Sequence, residues 1–260
     1  MPGKTKIEWT ATHHADGTVT PGRTWNYVTG CDEISPGCDH CYAKTFAERF
    51  RGVPGHPYEQ GFDLRLWPER LTLPGKWKKP SMIFVNSMSD WCHPGIPDEF
   101  TLQAFEVMLR ENHHIYQLLT KRAPKMVRLV PQITDLVERI TGSRRWPAHI
   151  WMGVTVESMA QRGRIAKLRE VPARVRFISY EPALGPLADA DLSGVHWVIM
   201  GAESGRGARP LPVEWARDMC DSCNAQGIAF FLKQFATEQG TKIPLPLLDG
   251  RQWMEFPLSQ

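Results

Sequence analysis

Six short apolar runs, each ending abruptly at polar residues, constrain the fold of this chain more than any other feature. They cover residues 82–85, 115–119, 150–154, 175–178, 195–200 and 228–232. Near-continuous apolarity rich in β-branched and aromatic residues is the pattern of strands buried on both faces, as in a parallel sheet covered by helices.

Helical periodicity fills several of the gaps. Asp98 can cap a helix that carries Leu102, Phe105, Met108 and Leu109 on one side. A second stretch places Met126, Val130, Ile133, Val137 and Ile140 at helical spacing, so Pro131 must kink that helix or lie near its start. A third, over 213–226, ends at Gly227 as its C-cap. The link from Ile178 to Val195 is short and holds Pro182, Gly185, Pro186 and Gly194, which predicts a degenerate crossover. Strand, helix and strand at roughly 30 residues per unit predict right-handed βαβ repeats. With a first strand near 25–28, the count reaches about six to seven parallel strands.

The expected class is therefore α/β, a (β/α) barrel of the TIM type, complete or partly open. With 260 residues, 42% of them hydrophobic, a single domain over 1–260 is expected. Residues 51–80, rich in Gly, Pro and charge and without a period, read as an excursion before the next strand. No apolar stretch approaches the roughly 18 residues of a membrane span, and the first residues lack a secretory apolar segment. The expectation is a soluble cytoplasmic protein that does not engage a membrane.

Three of the six cysteines, Cys31, Cys38 and Cys41, share the loop 29–43. A chain this long without an export signal favours reduced, metal-binding thiols over a disulfide framework. Three thiolates leave a 4Fe–4S cluster with one iron open to a small molecule. The alternative is a tetrahedral zinc site with His40, His56, Cys92 or His93 as fourth ligand, although only the gap from Cys38 to Cys41 has zinc-finger spacing. Cys220 and Cys223 fall in the last predicted helix and are expected to pack as small hydrophobes. Cys92, close to a strand end, is expected to be a spectator.

In a (β/α) barrel the working groups lie at the carboxyl ends of the strands. The residues there are Asn86, Ser87, Ser89 and Asp90; Thr120, Lys121 and Arg122; Thr155, Glu157 and Ser158; Ser179 and Glu181; Glu203, Ser204 and Arg206; and Lys233 with Gln234. Six strand ends supplying carboxylates, amides and cations exceed what solubility requires, even if some serve as caps or loop residues. The glycines of loop 201–207 would let the backbone approach a ligand or form a tight turn. That loop matches neither the dinucleotide nor the P-loop fingerprint. Tyr42 is expected either against a cofactor or in the core.

The motifs Lys6-Ile7-Glu8-Trp9-Thr10, Thr24-Trp25-Asn26, Thr29-Gly30-Cys31, Gly37-Cys38, Cys41-Tyr42-Ala43, Val85-Asn86-Ser87-Met88-Ser89-Asp90, Leu119-Thr120-Lys121-Arg122 and Glu203-Ser204-Gly205 resemble the phage-associated three-cysteine-motif proteins. That family is grouped with radical S-adenosylmethionine enzymes. The likeness runs in order from near the N-terminus to about Phe235. It departs in residues 11–23, which look inserted, at Tyr27, Ala202 and Phe235, and in a cysteine spacing wider than the superfamily's usual one.

The resemblance implies a 4Fe–4S cluster on Cys31, Cys38 and Cys41, S-adenosylmethionine as small-molecule cosubstrate, and an electron donor, flavodoxin-like or chemical. It implies catalytic roles for Asp90, Lys121, Glu181 and Glu203. Cofactor contacts would come from Tyr42, Asn86, Ser87, Arg122, Glu157, Ser204 and Gly205. A nucleic-acid base is one substrate class in its reach, and a partner protein that completes the site is left open.

A net charge of +3 is too nearly balanced to argue for nucleic acid by bulk electrostatics. Locally, Lys76-Trp77-Lys78-Lys79 and Arg144-Arg145-Trp146 mix cations with an aromatic, as surfaces gripping single strands do, though short basic runs are usually solvated loops. A zinc-stabilised nucleic-acid-binding or interaction protein without turnover is the competing reading. The pairs His13-His14 and His113-His114 lack metal-motif spacing and read as structural or solvent-facing.

Overall fold

The apolar runs fold into strands of one sheet. The computed structural model describes residues 3–14, 16–205 and 207–257. The strands are β1 (Arg23–Trp25), β2 (Met82–Val85), β3 (Ile115–Thr120), β4 (Ile150–Thr155), β5 (Arg176–Tyr180), β6 (Trp197–Gly201), β7 (Ala229–Ala236) and β8 (Lys242–Pro244). The α-helices among the described residues are α1 (Tyr42–Glu48), α2 (Asp98–Arg110), α3 (Ala123–Thr141), α4 (Gly163–Arg169) and α5 (Val213–Gln226).

Order across the sheet follows order along the chain, from β1 at one edge to β8 at the other. Strands β1 and β2, β2 and β3, β5 and β6, and β6 and β7 pair parallel, while β8 pairs antiparallel with β7. Because the two edge strands are not joined, this is a partly open (β/α) barrel and not a closed one. Among the described residues, no helix is long and apolar enough to cross a membrane.

The chain divides into two compact units. The first comprises Met1–Asp32, Ala43–Met152 and Val171–Arg174. Its core holds the fully buried Trp25, Tyr27, Trp91, Phe105 and Tyr116, with the rings of Trp25 and Tyr27 4.8 Å apart. The first strand lies at 23–25, short of the expected 25–28. Asn86 N–H donates to Trp25 O at 2.9 Å, after which the chain leaves the sheet and Val28–Thr29 pair antiparallel with Arg65–Leu66. The excursion 51–80 thus supplies a partner strand.

Asp98 does not cap α2. It is the first helical residue, after Pro97, and its carboxylate takes Arg128 of α3 at 2.6 Å. Helix α3 buries Met126, Leu129, Ile133, Leu136 and Val137, whereas Val130 and Ile140 are only half-buried. Pro131 stands in the exposed interior of α3 and not near its start. Trp77 and Trp146 are both buried, so the aromatics of the two basic runs belong to the core and offer no stacking face. His114 is buried too, its Nε2 3.2 Å from Pro74 O.

The second unit comprises Glu33–Tyr42, Gly153–Glu170 and Val175–Gln260. Trp197 of β6 lies at its centre, 5.9 Å from the Phe177 ring and 5.2 Å from Phe256, and its indole N–H reaches Glu255 O at 2.8 Å. No helix separates β5 from β6, which is the degenerate crossover that Pro182, Gly185 and Pro186 predict. Helix α5 ends where expected, at Gly227 with φ of +66°. Its inner side carries Cys220 and Cys223, both buried, and burial pushes these thiols up to about 11 and about 12.

Candidate functional site

In the first unit, Cys31 is tied to the carboxyl ends of β2 and β3. Gly30, with φ of +87°, donates to Met88 O at 3.0 Å, and Ser89 Oγ returns a bond to Gly30 O at 2.7 Å. A side chain at Gly30 would run into the Phe62 and Asp63 carbonyls. Asp90 is buried and accepts four hydrogen bonds. Thr120 Oγ1 at 2.6 Å and Cys92 N at 2.9 Å bind Oδ1, while Lys121 N and Arg122 Nη1, each at 3.0 Å, bind Oδ2.

The same Arg122 Nη1 donates to Cys31 Sγ at 3.2 Å, and Nη2 donates to Asp32 O at 2.9 Å. Burial opposes the guanidinium charge, but the Asp90 carboxylate and the Cys31 sulfur more than offset it and hold Arg122 above its ordinary value. A cation therefore stands against a thiol, aimed by a buried carboxylate. Such a cation favours the thiolate form.

In the second unit, the loop segment 35–41 is bound to the ends of β4 and β6. Buried Glu157 accepts from Ser35 Oγ at 2.5 Å and from Arg164 Nη1 at 2.8 Å. Gly37 lies so close that a Cβ there would sit 2.6 Å from Glu157 Cγ. Buried Glu203 accepts from His40 Nδ1 at 2.8 Å and from Arg209 N, Nε and Nη2 at 3.0, 2.9 and 2.5 Å. Arg209 also reaches Asp39 Oδ2 at 3.0 Å and Pro36 O at 2.7 Å. Burial raises the Glu203 carboxyl, but the bonds from Arg209 and His40 prevail and keep it below the ordinary carboxylate value. Cys38 and Cys41 occupy one tight turn, with Cys41 N donating to Cys38 O at 3.2 Å.

The remaining expected residues fall as follows. Asn86, with φ of +55°, accepts from Val28 N at 3.3 Å, and Ser87 Oγ donates to Asn26 Oδ1 at 3.2 Å, so both brace the loops after β1 and β2. Glu181 takes Lys233 Nζ at 2.5 Å. Gly205, with φ of +104°, donates to Gly240 O at 3.0 Å, so its backbone lies against Gly240. Ser204 is half-buried, and Arg206 lies outside the described residues. Tyr42 is 59% exposed and so is not a core residue.

Among the alternative zinc ligands, His93 Nε2 lies 2.8 Å from Asp32 Oδ2, and His56 stacks on Phe50 at 3.9 Å. Cys92 is buried, and burial, with Asp90 nearby, raises its thiol well above the ordinary value. Ser35, Arg164 and Arg209 went unseen in the sequence, because none ends an apolar run and their partners lie far along the chain. His40 had one signal, its place between two cysteines.

The donor chemistry fits a thiolate-held iron–sulfur cluster. No disulfide joins any of the six cysteines, and a guanidinium faces one of the three loop thiols. Among the described residues, no group of three or more His, Cys, Asp or Glu is gathered to hold a single metal ion. A cluster would set each thiolate on a different iron, so its three ligands would have to surround a volume larger than a single ion.

A profile of the family described as protein of unknown function (DUF5131) matches residues 4–257. No curated protein matches. Among solved structures, spore photoproduct lyase complexed with dinucleoside spore photoproduct is similar at a TM-score of 0.47 and 14% identity, over 77% of this chain and 60% of that one. A double mutant of spore photoproduct lyase with bound AdoMet and dinucleoside spore photoproduct gives 0.45 and 11%, over 84% and 64%. The chain thus spans 60% of the length of the first of these neighbours.

Proposed function

We propose that this chain, which belongs to the DUF5131 family of proteins of unknown function, is an enzyme that holds a 4Fe–4S cluster on Cys31, Cys38 and Cys41 and uses S-adenosylmethionine as cosubstrate. The observation that carries the reading is the Arg122 guanidinium, 3.2 Å from Cys31 Sγ and 3.0 Å from the Asp90 carboxylate. A structural cysteine needs no half-buried, carboxylate-aimed cation, whereas a thiolate ligand does better with one. The three-cysteine-motif resemblance agrees with it.

When bound, such a cluster supplies the electron that cleaves S-adenosylmethionine reductively. The chain's own residues do the rest. Asp90 fixes the Arg122 fork through its own hydrogen bonds, and Arg122 holds Cys31 toward the thiolate. Lys121, next along the chain, offers a cation for the cosubstrate carboxylate, and Asn86, Ser87, Ser204, Gly205 and Tyr42 supply polar and aromatic contacts near the strand ends. Glu181 with Lys233 is the acid–base pair proposed to meet the substrate, for which a nucleic-acid base is the class we favour. A flavodoxin-like or chemical reductant completes the cycle.

Anaerobic purification with iron, sulfide and zinc analysis tests this reading. Wild-type protein should carry iron and sulfide and form 5′-deoxyadenosine with dithionite. The Cys41→Ala variant should lose both properties together. A colourless protein with stoichiometric zinc and no cosubstrate cleavage would overturn the proposal in favour of a zinc-stabilised binding protein.

A further inference from the structure

We infer that Glu203 and Arg209 are positioning residues that fix the shape of loop segment 35–41 independently of any metal, with Glu157 as a second anchor. Their importance for iron binding rests on the reading of Cys38 and Cys41 as ligands; the ordering of the loop does not.

The segment is a short loop with one turn of 3-10 helix. That turn, at Pro36–Cys38, carries local backbone bonds from Cys38 N to Ser35 O at 2.8 Å, Asp39 N to Pro36 O at 3.3 Å and Cys41 N to Cys38 O at 3.2 Å. Turns of this kind do not persist in water by themselves, because fixing each residue costs conformational entropy. What the segment does have is side-chain anchoring to the ends of β4 and β6. Ser35 Oγ donates to Glu157, Arg209 binds Pro36 O and Asp39, and His40 donates to Glu203.

Glu203 is the hub. It is buried, it accepts three bonds from Arg209 and one from His40, and Arg209 carries the connection onward to two further loop residues. Exposed ion pairs contribute little, but a buried carboxylate in a multidentate arginine network holds geometry as well as charge. The absence of room for a Cβ at Gly37 against Glu157 shows how closely the loop is seated. A loop shaped in advance spends less of its binding energy on being ordered when a ligand arrives.

Amide hydrogen exchange on metal-free, full-length protein tests this. In Glu203→Ala and Arg209→Gln, exchange over 35–41 should rise at least tenfold, while exchange over Trp197–Gly201 and Val213–Gln226 stays as in the wild type. Arg209→Lys, which keeps the charge but not the fork, should restore part of the protection. Unchanged exchange over 35–41 would overturn the inference, and so would a rise shared equally by β6 and α5, which would mean general loosening.

A second arm measures iron and sulfide per chain after anaerobic reconstitution with ferrous iron and sulfide. The two disruptive variants should retain half the wild-type iron or less. Lost protection with full iron retention would overturn the role toward the metal. A wild type that takes up no iron would sink the proposed function while the exchange result still decides whether the loop is held.

Discussion

Asp90 shows how much one side chain can organise. With Thr120 Oγ1, Cys92 N, Lys121 N and Arg122 Nη1 on its two oxygens, it takes up both of them and fixes a cation that touches the Cys31 sulfur. Asp90→Ala strands a partly buried guanidinium, and we expect a loss of about 3 kcal/mol in urea unfolding. Arg122→Lys should keep most of that stability yet lower iron retention, since a lysine cannot reach carboxylate and sulfur as a fork does. Gly153 makes a different demand. A Cβ there would overlap the Phe177 ring, so Gly153→Ala should cost about 2 kcal/mol by overpacking, measured the same way. Sequence position marked Asp90 and Arg122 as working residues because each follows an apolar run. It did not pair them, since they are 32 residues apart and nothing local encodes which strand ends converge.

At the level of the element, legibility followed how local the cause is. Helix α5 was readable to its last residue because a helical stripe and a glycine stop are written in adjacent residues. The apolar residues 25–28 suggest a later β1 than the structure has, because pairing with β2 ends at Trp25 for a tertiary reason, the capture of Val28–Thr29 by Arg65–Leu66. Helix α3 carries Pro131 in its interior, where the ring removes a hydrogen-bond donor and crowds the preceding turn. The site is exposed, so no core contact compensates. Pro131→Ala should therefore stabilise the protein by on the order of 2 kcal/mol and raise its thermal midpoint; an unchanged or lower midpoint would show that the helix is bent to suit its neighbours.

For the whole molecule, three histidines, one buried and two half-buried, set an acid limit. Burial holds His114, His149 and His196 below the ordinary histidine value. The unfolded chain binds a proton at each as the pH falls through about 6.5, while the folded chain does so only at lower pH, so stability is complete above that value and declines below it. Thermal midpoints should fall between pH 7.5 and pH 5.5, before most carboxylates titrate. A flat profile over that range would contradict the burial of these rings as neutral bases. The sheet order has its own consequence. Each strand lies beside the one synthesised just before it, so within the sheet a strand leaving the ribosome finds its docking edge already made.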